Sequence, residues 1–501
     1  MAGPLIGRRA VLAGLAAAPL LAPSSVRATP VSPVVDSPAG RFAGQFEESV
    51  SVFRGIRYGQ ARRFSAPVPV PRSRDIVWAH DFGPSSPQAG RAGLAVDEQC
   101  LFLNVWQPAG AARPGARLPV MVYFHGGAYS TGTPVSPLLD GRRLAEQGVV
   151  VVTVAHRLNA FGYLYLARLD PRFPDSGNAG QLDLILALRW VRDNIASFGG
   201  DPNRVMLFGQ SGGGAKIATL MGTPAARGLF HRAATMSGQQ VTASGPLHAT
   251  ERARAFMARL GARGVDDLLA MPAARLVEGL DATDPYLGGG VYMGPVLDMK
   301  WLVRHPFWPD ANPQGNAIPM MLGNTHDETR AFIPADSPRL AGLSWGNLPE
   351  RIAPELRIDV LPEWVVAEYR RLFPSWSPLE IFYAATTAGR SWRGQVIEAE
   401  ERARAGVPGF VYQLNWPVPA PHASDIPLVF GTFTDPAART VSTAMMAAFL
   451  RFARTGNPGW APYTLPARRT MIFDAHPHLE SDPRRAEREL FARIPYIQPG
   501  T

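Results

Sequence analysis

A glycine-rich turn between a predicted strand and a predicted helix constrains this sequence more than any other feature. The apolar run Val205–Phe208 predicts a buried strand, and the stretch Lys216–Met221 has the pattern of a helix. Gly209-Gln210-Ser211-Gly212-Gly213 joins the two. In so sharp a turn, a side chain on either G-x-S-x-G glycine would collide with the neighbouring strand and helix. This setting predicts a nucleophile elbow that presents Ser211 above a helix N-terminus, and the alternative is a plain glycine-rich loop.

Several apolar runs, each followed by turn residues and a helical pattern, predict the fold class. Two further examples are Val120–Phe124 and Val149–Val154. The helix before Val205 is ended by Gly199-Gly200, and its apolar residues recur at helical spacing: Leu184, Leu188, Val191 and Ile195. Near-continuous apolar strands are typical of a parallel sheet buried on both faces. The strand–helix–strand order therefore predicts an α/β fold with right-handed crossovers and its chemistry at the carboxyl ends of the strands.

A second glycine motif follows the strand predicted over Val120–Phe124. His125-Gly126-Gly127-Ala128 is the H-G-G type of sequence that supplies oxyanion-hole amides in lipases and esterases. Glycine lets the backbone approach a ligand and turn its N–H groups inward. We expect the N–H groups of Gly127, Ala128 and Gly212 to form the oxyanion hole. His125 is expected to be structural rather than catalytic.

The composition excludes several classes of protein. The net charge of +9 comes almost entirely from scattered arginines, since the chain has only two lysines, so no nucleic-acid partner is expected. No run of about 18 apolar residues is present, which excludes a membrane-spanning helix. Cys100 is the only cysteine, so no disulfide forms within the chain. No His/Cys cluster has metal-ligand spacing, and neither a metal nor an organic cofactor is expected.

The first 28 residues predict an export signal. Arg8-Arg9 precede about a dozen small apolar residues, and Val26-Arg27-Ala28 offers small residues at the positions that a signal peptidase reads. The paired arginines favour the twin-arginine route to the periplasm or the medium, and the alternatives are an ordinary secretory signal or a frayed terminus. The mature chain is expected to start near Thr29, with residues 29–501 forming a single domain.

Further motifs in family order give the chain a family resemblance. They are Glu98–Val105, Gly177–Asp183, Phe198–Pro202 and Phe452–Pro458. With the two glycine motifs, they make the chain resemble type-B carboxylesterases, the family of para-nitrobenzyl esterases, liver-type carboxylesterases and cholinesterases. The matches span roughly residues 46–475. The resemblance implies an α/β-hydrolase fold, with a mostly parallel twisted sheet flanked by helices and with helical insertions over the site.

The resemblance also implies the activity and places the two later members of a catalytic triad. The family's acid falls on Glu328, after a strand predicted over Ile318–Leu322, and Asp327 is its local competitor. The family's histidine falls on His422, and His326 is the one serious rival. His422 would take the proton of Ser211 while Glu328 orients the imidazole. The expected activity is hydrolysis of small to medium apolar carboxylic esters through an acyl-enzyme.

The chain departs from the family at the elbow and in the segment before the first glycine motif. Gln210 replaces the usual glutamate, and Gly212 replaces alanine. Ser86 stands where the first cysteine of a family disulfide would be, and the loop from there to Cys100 has no tryptophan, which argues against choline esters. Arg54 or Arg57 is expected to pair with Glu98.

The region 280–400 is rich in aromatic residues, which predict an apolar gorge for the substrate. These residues are Tyr286, Tyr292, Phe307, Trp308, Trp345, Trp376 and Trp392. The alternative is that they pack the core of the helical insertions. Two other functions stay open at this point: the same triad acting on a polyester, carbamate or amide, and a non-catalytic adhesion role. The sequence predicts no particular oligomeric state.

Overall fold

The computed structural model describes residues 32–90, 93–494 and 496 of the chain. The leader predicted over residues 1–28 lies outside these residues, so export stays a prediction, as does the boundary of the mature domain at residue 29. The described residues between Ser32 and Thr501 belong to one compact unit. None of the helices in the described part of the chain is long and apolar enough to cross a membrane.

The strands of the described residues are numbered in chain order. They are β1 (Val34–Ser37), β2 (Gly40–Ala43), β3 (Gln45–Glu47), β4 (Val50–Arg57), β5 (Gly59–Gln60), β6 (Val68–Pro69), β7 (Ile76–Trp78), β8 (Phe102–Pro108), β9 (Leu118–Phe124), β10 (Val150–Val154), β11 (Gly200–Gln210), β12 (Arg232–Met236), β13 (Met320–Thr325), β14 (Gly409–Leu414), β15 (Arg469–Phe473) and β16 (His478–Ser481).

Eleven of these strands form the central sheet, in the order β16-β15-β14-β13-β12-β11-β9-β10-β8-β4-β3. The seven strands from β15 to β10 are parallel to their neighbours, whereas β8, β4 and β3 at one edge and β16 at the other pair antiparallel. The prediction of a mostly parallel sheet is confirmed. Two small sheets, β1-β2-β7 and β5-β6, lie outside it.

The helices are also numbered in chain order. They are α1 (Arg142–Ala145), α2 (Asn159–Tyr163), α3 (Ala179–Asn194), α4 (Gly212–Met221), α5 (Pro246–Leu260), α6 (Val265–Ala270), α7 (Ala273–Glu278), α8 (Leu348–Leu356), α9 (Pro362–Leu372), α10 (Pro378–Thr387), α11 (Arg393–Arg404), α12 (Ile426–Phe430), α13 (Arg439–Thr455) and α14 (Arg485–Ala492).

The side chains of β9 show why the sheet is covered on both faces. Val120 and Val122 pack in the core on one face, with Leu184 of α3. Met121 packs in the core on the other face, with Phe449 of α13. Successive side chains of a strand point to opposite faces, so an uninterrupted apolar strand requires two apolar layers. The fold is thus three-layered, as expected for an α/β-hydrolase.

Two boundaries differ from those that the sequence pattern predicts. Helix α3 ends at Asn194, and Ile195 opens a short 3-10 turn that Gly199 closes in a left-handed conformation, with φ of 80°. Helix α4 begins at Gly212 rather than at Lys216. Glycine is a poor helix former, so the pattern gives no signal there. Packing of the turn against β9 holds these glycines helical instead.

Helical insertions interrupt the second half of the sheet. Helices α5–α7 lie between β12 and β13, and α8–α11 lie between β13 and β14. Helices α8–α10 share a core of their own with α14, which includes Ile352, Tyr369 and Ile381. Both insertions leave from the carboxyl ends of parallel strands, which places them on the side of the sheet where ligands bind in this fold class.

A buried ion pair ties the start of α3 to the loop after β10. Arg157 donates from Nε and Nη2 to Asp183, at 2.9 and 2.6 Å, and from Nη1 to the carbonyl of Ser65 at 2.8 Å. Both ionic side chains are almost completely buried. Removing one partner from such a pair leaves an uncompensated buried charge, so this contact fixes the position of the two segments.

The expected partner of Glu98 is wrong. Glu98 pairs with Arg63, which also donates to the carbonyls of Leu268 and Met271 at 2.8 and 2.7 Å. Arg54 instead pairs with Glu47, and the Arg57 guanidinium lies over the ring of Phe102. Which arginine pairs with Glu98 depends on the position of the insertion that carries Leu268. The local sequence does not indicate that position.

Candidate active site

Ser211 lies at the sharp turn between β11 and α4. Its backbone has φ of 55° and ψ of −126°, a region that residues other than glycine rarely adopt. The Ser211 N–H donates to the carbonyl of Met236 at 2.7 Å, which anchors the turn to the end of β12. Such strain persists only where the surrounding structure enforces it, and it is typical of functional sites.

Close packing explains the two glycines of the elbow. A Cβ on Gly209 would lie 2.7 Å from the Gly213 carbonyl carbon and 2.9 Å from the Phe124 carbonyl oxygen. A Cβ on Gly213 would lie 2.8 Å from the carbonyl carbon of Phe124 and would overlap its oxygen. The predicted collision with the neighbouring strand and helix is therefore present at both positions.

Glu328 and His422 meet beside this turn. Glu328 follows β13 and is fully buried, and its carboxylate contacts Nδ1 of His422, in the loop after β14. It also accepts hydrogen bonds from the Thr325 N–H at 2.9 Å and from Asn324 Nδ2 at 3.1 Å. The geometry thus brings together the acid and the histidine that the family resemblance selects.

The two local rivals have other partners. Asp327 accepts a hydrogen bond from the Ala420 N–H at 3.0 Å, and its carboxylate lies 3.1 Å from Nδ1 of His326. His326 is exposed. Both rivals therefore form a separate pair next to Glu328 and His422.

Electrostatics keep Glu328 ionised. Burial raises the pKa of Glu328. The positive form of His422 and the hydrogen bonds from His422 and Thr325 lower it by a larger amount, so the pKa lies below the usual range of a glutamate. An ionised carboxylate only accepts hydrogen bonds, so the proton of the neutral imidazole lies on Nδ1. His422 Nε2 then carries the lone pair that can accept a proton.

Gln210 lies against that lone pair. Its side-chain Nε2 is 3.0 Å from Nε2 of His422, and an amide N–H donates to the imidazole in this geometry. Among the described residues, no hydrogen bond joins Ser211 Oγ to His422. The sequence marks Gln210 as a departure from the family but does not reveal this contact, which joins residues 212 positions apart.

The three expected oxyanion-hole residues line the same cavity as Ser211 and His422. Gly127 and Ala128 both have positive φ, 95° and 52°, in the turn after β9. The Gly127 carbonyl accepts the N–H groups of Ser130 and Thr131, so it points away into the loop. Gly212 opens α4 next to Ser211.

The cavity above Ser211 has a volume of about 1310 Å³. Of the aromatic residues predicted to form a gorge, Tyr286 and Tyr292 line it, and the other five do not. Phe307 and Trp392 are buried in cores, which fits the alternative for those residues. Other aromatic side chains complete the wall: Tyr123, Tyr129, Phe332 and Tyr496.

Phe332 forms the wall next to the histidine. Its ring centroid lies 4.9 Å from that of His422, and the guanidinium carbon of Arg390 lies 4.0 Å from the same Phe332 centroid. Arg390, Arg357 and Asp359 also line the cavity. The wall therefore carries charged as well as aromatic side chains, and the prediction of an apolar gorge is correct only in part.

The sequence pattern does not predict a role for two buried ionisable residues, Asp425 and Lys216. Asp425 is fully buried, and burial together with the charge of Glu328 raises its pKa to about 7. Tyr412 donates to it at 3.1 Å. Lys216 is fully buried within α4. The one signal for Lys216 is that it is one of two lysines in the chain and lies in an otherwise apolar helix.

In the part of the chain that the structure describes, no group of three or more His, Cys, Asp or Glu side chains could hold a metal ion.

Comparisons with known proteins agree with this geometry. The sequence model of the Carboxylesterase family matches residues 31–345. The para-nitrobenzyl esterase of Bacillus subtilis is 32% identical over 91% of this chain and 98% of its own length. The solved structure of carboxylesterase EST55 from Geobacillus stearothermophilus has a TM-score of 0.81 and 33% identity, and covers 91% of this chain and 99% of its own. The solved structure of an esterase from Clostridium hathewayi that hydrolyses aliphatic aromatic polyesters has a TM-score of 0.75 and 30% identity. It covers 92% of this chain and 98% of its own.

The Gln210 contact predicts a shift in pH dependence. A carboxylate in Gln210→Glu would accept from Nε2 of a protonated His422 and favour the imidazolium. The acid limb of the profile of kcat/KM against pH should therefore move to higher pH by about one unit. Gln210→Met, which adds no charge, is the matched control and should move the limb much less. An unmoved limb in Gln210→Glu would contradict the contact.

Asp425 predicts a change in stability with pH. Because its folded pKa of about 7 lies above its value in the unfolded chain, the folded protein holds a proton that the unfolded chain releases between about pH 4 and 7. The wild type therefore loses stability as the pH rises through this window. The free energy of unfolding of Asp425→Asn, measured in urea, should gain at least about 1 kcal/mol on wild type between pH 5 and 8.

Asp327→Asn is the control for that experiment. The pKa of Asp327 lies below its ordinary value, since the hydrogen bond and charge of His326 outweigh the effect of burial. A carboxyl with a lowered pKa stays ionised over this range in the folded and the unfolded chain, so this variant should show no comparable gain between pH 5 and 8. A constant difference between Asp425→Asn and wild type over that range would show that Asp425 stays ionised in the folded chain.

Proposed function

The chain belongs to the carboxylesterase family and is a carboxylic ester hydrolase, and we propose that Ser211, Glu328 and His422 carry out its reaction. The observation that carries this proposal is that the Glu328–His422 pair opens onto the same cavity as the strained turn of Ser211. The positions follow one another in the chain order Ser, acid, His that is typical of α/β-hydrolases.

In the proposed reaction, His422 Nε2 takes the Ser211 hydroxyl proton as Oγ attacks the ester carbonyl carbon. The tetrahedral intermediate collapses when His422 gives that proton to the leaving alcohol, and an acyl-enzyme remains. Water, deprotonated by His422, then attacks the acyl carbon. The bond from that carbon to Ser211 Oγ breaks as His422 returns the proton to Oγ, and the acid is released. Glu328 stabilises the imidazolium that forms in each half-reaction.

For this sequence of steps, Gln210 must release the lone pair of His422. The amide N–H of Gln210 and the Ser211 hydroxyl compete for Nε2, and only the second contact transfers a proton. A rotation of the Gln210 side chain frees the nitrogen. The contact between Gln210 and His422 belongs to the site without substrate. A bound ester would bring its own polar groups close to Nε2 of His422.

We propose the backbone N–H groups of Gly127, Ala128 and Gly212 as the oxyanion hole. They lie on two elements, the turn after β9 and the start of α4, on the same cavity as Ser211. The N-terminus of α4 adds a favourable dipole. Loss of one such donor costs about 10²–10³-fold in rate.

The proposed substrates are small to medium esters with apolar parts. The aromatic wall of Tyr129, Tyr286, Tyr292 and Phe332 supports this class, and a cavity of about 1310 Å³ accommodates more than an acetyl group. Hydrolysis of a polyester is the second candidate. The similarity to the polyester-hydrolysing enzyme of Clostridium hathewayi supports it.

The role assignments predict distinct effects of substitution. Ser211→Ala and Glu328→Gln should lower kcat for para-nitrophenyl butyrate by at least about 10³-fold and 10²-fold. The adjacent Asp327→Asn and His326→Gln are the matched controls and should stay within about fivefold of wild type, because they form the separate pair. A larger loss in Asp327→Asn than in Glu328→Gln would reassign the acid.

The same assay defines the substrate class. We expect kcat/KM to rise from the acetyl ester to an optimum at a longer acyl chain, since the cavity offers apolar area to the chain. Soluble fragments of an aliphatic aromatic polyester, tested beside these esters, distinguish the second candidate. Faster turnover of the polyester fragments than of every para-nitrophenyl ester would favour it.

We also propose export through the leader of residues 1–28, which the paired Arg8 and Arg9 support. Fractionation of cells that express the whole chain should find the esterase outside the cytoplasm. Replacing both arginines by lysine should retain it inside, and unchanged export in that variant would contradict the twin-arginine route.

A further inference from the structure

Lys216 lies beneath the turn that carries Gly127 and Ala128. It projects from α4, its side chain is fully buried, and its Nζ donates to the Ala128 carbonyl at 2.7 Å. The His125 carbonyl is 3.5 Å from the same nitrogen, and the ring of Tyr129 is 5.1 Å away. One amine thus contacts three residues of the segment that follows β9.

Among the described residues, the Lys216 ammonium has no acidic partner. None of the described carboxylates lies within 4 Å of Nζ, and burial is the cause that lowers its pKa to about 7. A buried cation without a counter-ion is costly, and an apolar side chain would fill the same space without that cost. The hydrogen bond to Ala128 is therefore the contact that makes a lysine here useful.

Gly212 makes this contact possible. A Cβ on Gly212 would overlap the carbonyl of Ala128, so the Ala128 carbonyl occupies space that any side chain at position 212 would fill. Lys216 lies one helical turn further along α4 and meets this carbonyl from below. The glycine after the nucleophile and the buried lysine together define the position of the Ala128 peptide.

We propose that Lys216 is a positioning residue that holds Ala128 in the oxyanion hole and places a positive charge behind it. This inference rests on the proposed function, because it assumes that the Ala128 N–H binds the oxyanion. Ala128 has a positive φ of 52°, which is unfavourable for alanine. The bond from Lys216 fixes its carbonyl, and with it the direction of the turn.

The proposed role acts mainly in the transition state. Negative charge on the carbonyl oxygen is small in the bound ester and large in the tetrahedral intermediate. A cation behind the oxyanion hole therefore stabilises the intermediate more than the substrate. Loss of Lys216 should lower kcat and leave KM nearly unchanged.

The charge also introduces a dependence on pH. The ring of Tyr129, from the turn after β9, lies against Lys216, and the rings of His156, from the loop after β10, and His125 pack on each other close by. Burial and the charge of Lys216 lower the pKa of His156. Because burial lowers the pKa of Lys216 to about 7, its charge is lost as the pH rises through neutrality. Turnover should therefore decline as Lys216 loses its proton.

The first test compares Lys216→Met, Lys216→Gln and the control Lys300→Met. Lys300 is the other lysine of the chain and pairs with Asp175 at the surface. With para-nitrophenyl butyrate, Lys216→Met should lower kcat by about 10- to 100-fold with KM within about threefold. Lys216→Gln, which keeps a donor without the charge, should fall in between, and Lys300→Met should match wild type.

The second test uses a stable mimic of the oxyanion. An aliphatic trifluoromethyl ketone adds to the serine as a charged hemiketal, whereas the methyl ketone of the same length binds without charge. Lys216→Met should weaken the trifluoromethyl ketone at least tenfold more than the methyl ketone. In wild type, the affinity for the trifluoromethyl ketone should fall about tenfold between pH 7 and 9 as Lys216 loses its charge.

These outcomes separate the inference from the proposed function. An active wild type, with kcat of Lys216→Met within twofold of it, would overturn the role of Lys216 alone. A wild type that hydrolyses no ester would overturn both. If Lys216→Met does not fold, the pH dependence in wild type decides, and an affinity for the trifluoromethyl ketone that is constant from pH 7 to 9 would overturn the inference.

Discussion

The contact between the start of α4 and the end of β9 is the constraint on which the site depends. Gly213 packs so closely on the Phe124 carbonyl that no side chain fits between them. This approach brings the nucleophile turn and the turn of Gly127 and Ala128 to one edge of the sheet. The parallel order of β9, β11, β12, β13 and β14 then delivers Glu328 and His422 to the same edge.

Around this edge the protein buries the ionisable side chains of Glu328, Asp425 and Lys216. Glu328 stays ionised because His422 and the Thr325 N–H lie against its carboxylate, whereas burial raises the pKa of Asp425 to about 7. Lys216 places its amine against the Ala128 carbonyl, in the turn of Gly127 and Ala128. The proposed reaction moves one proton, to His422, and develops one negative charge, on the substrate oxygen. Glu328 lies beside the histidine that takes the proton, and Lys216 lies beside the turn that would bind the charged oxygen.

The sequence predicts the parts of the site that depend on local geometry. The strand, G-x-S-x-G and helix pattern identifies Ser211, and the glycines after β9 identify the other turn, because in both cases short-range crowding requires glycine. Glu328 and His422 were predicted only through the family resemblance. Nothing in Thr325-His326-Asp327-Glu328 distinguishes the two acids until Ala420 and His422 are placed beside them.

Contacts between distant segments could not be predicted. Gln210 meets His422 across the sheet, and Glu98 pairs with Arg63 because an insertion lies beside them. Trp392 has the same aromatic character as Tyr292, yet one packs a core and the other lines the cavity. Residue type does not encode which side of an inserted helix faces the substrate, since that depends on how the helices pack on one another.

The central claim is that Ser211 is the nucleophile, and covalent labelling tests it most directly. Wild-type protein would be treated with a fluorophosphonate, digested with protease and analysed by mass spectrometry. The account predicts one adduct per chain, on the peptide that contains Ser211, with esterase activity lost in proportion to labelling. An adduct on a different residue, or full inhibition with Ser211 unmodified, would contradict it.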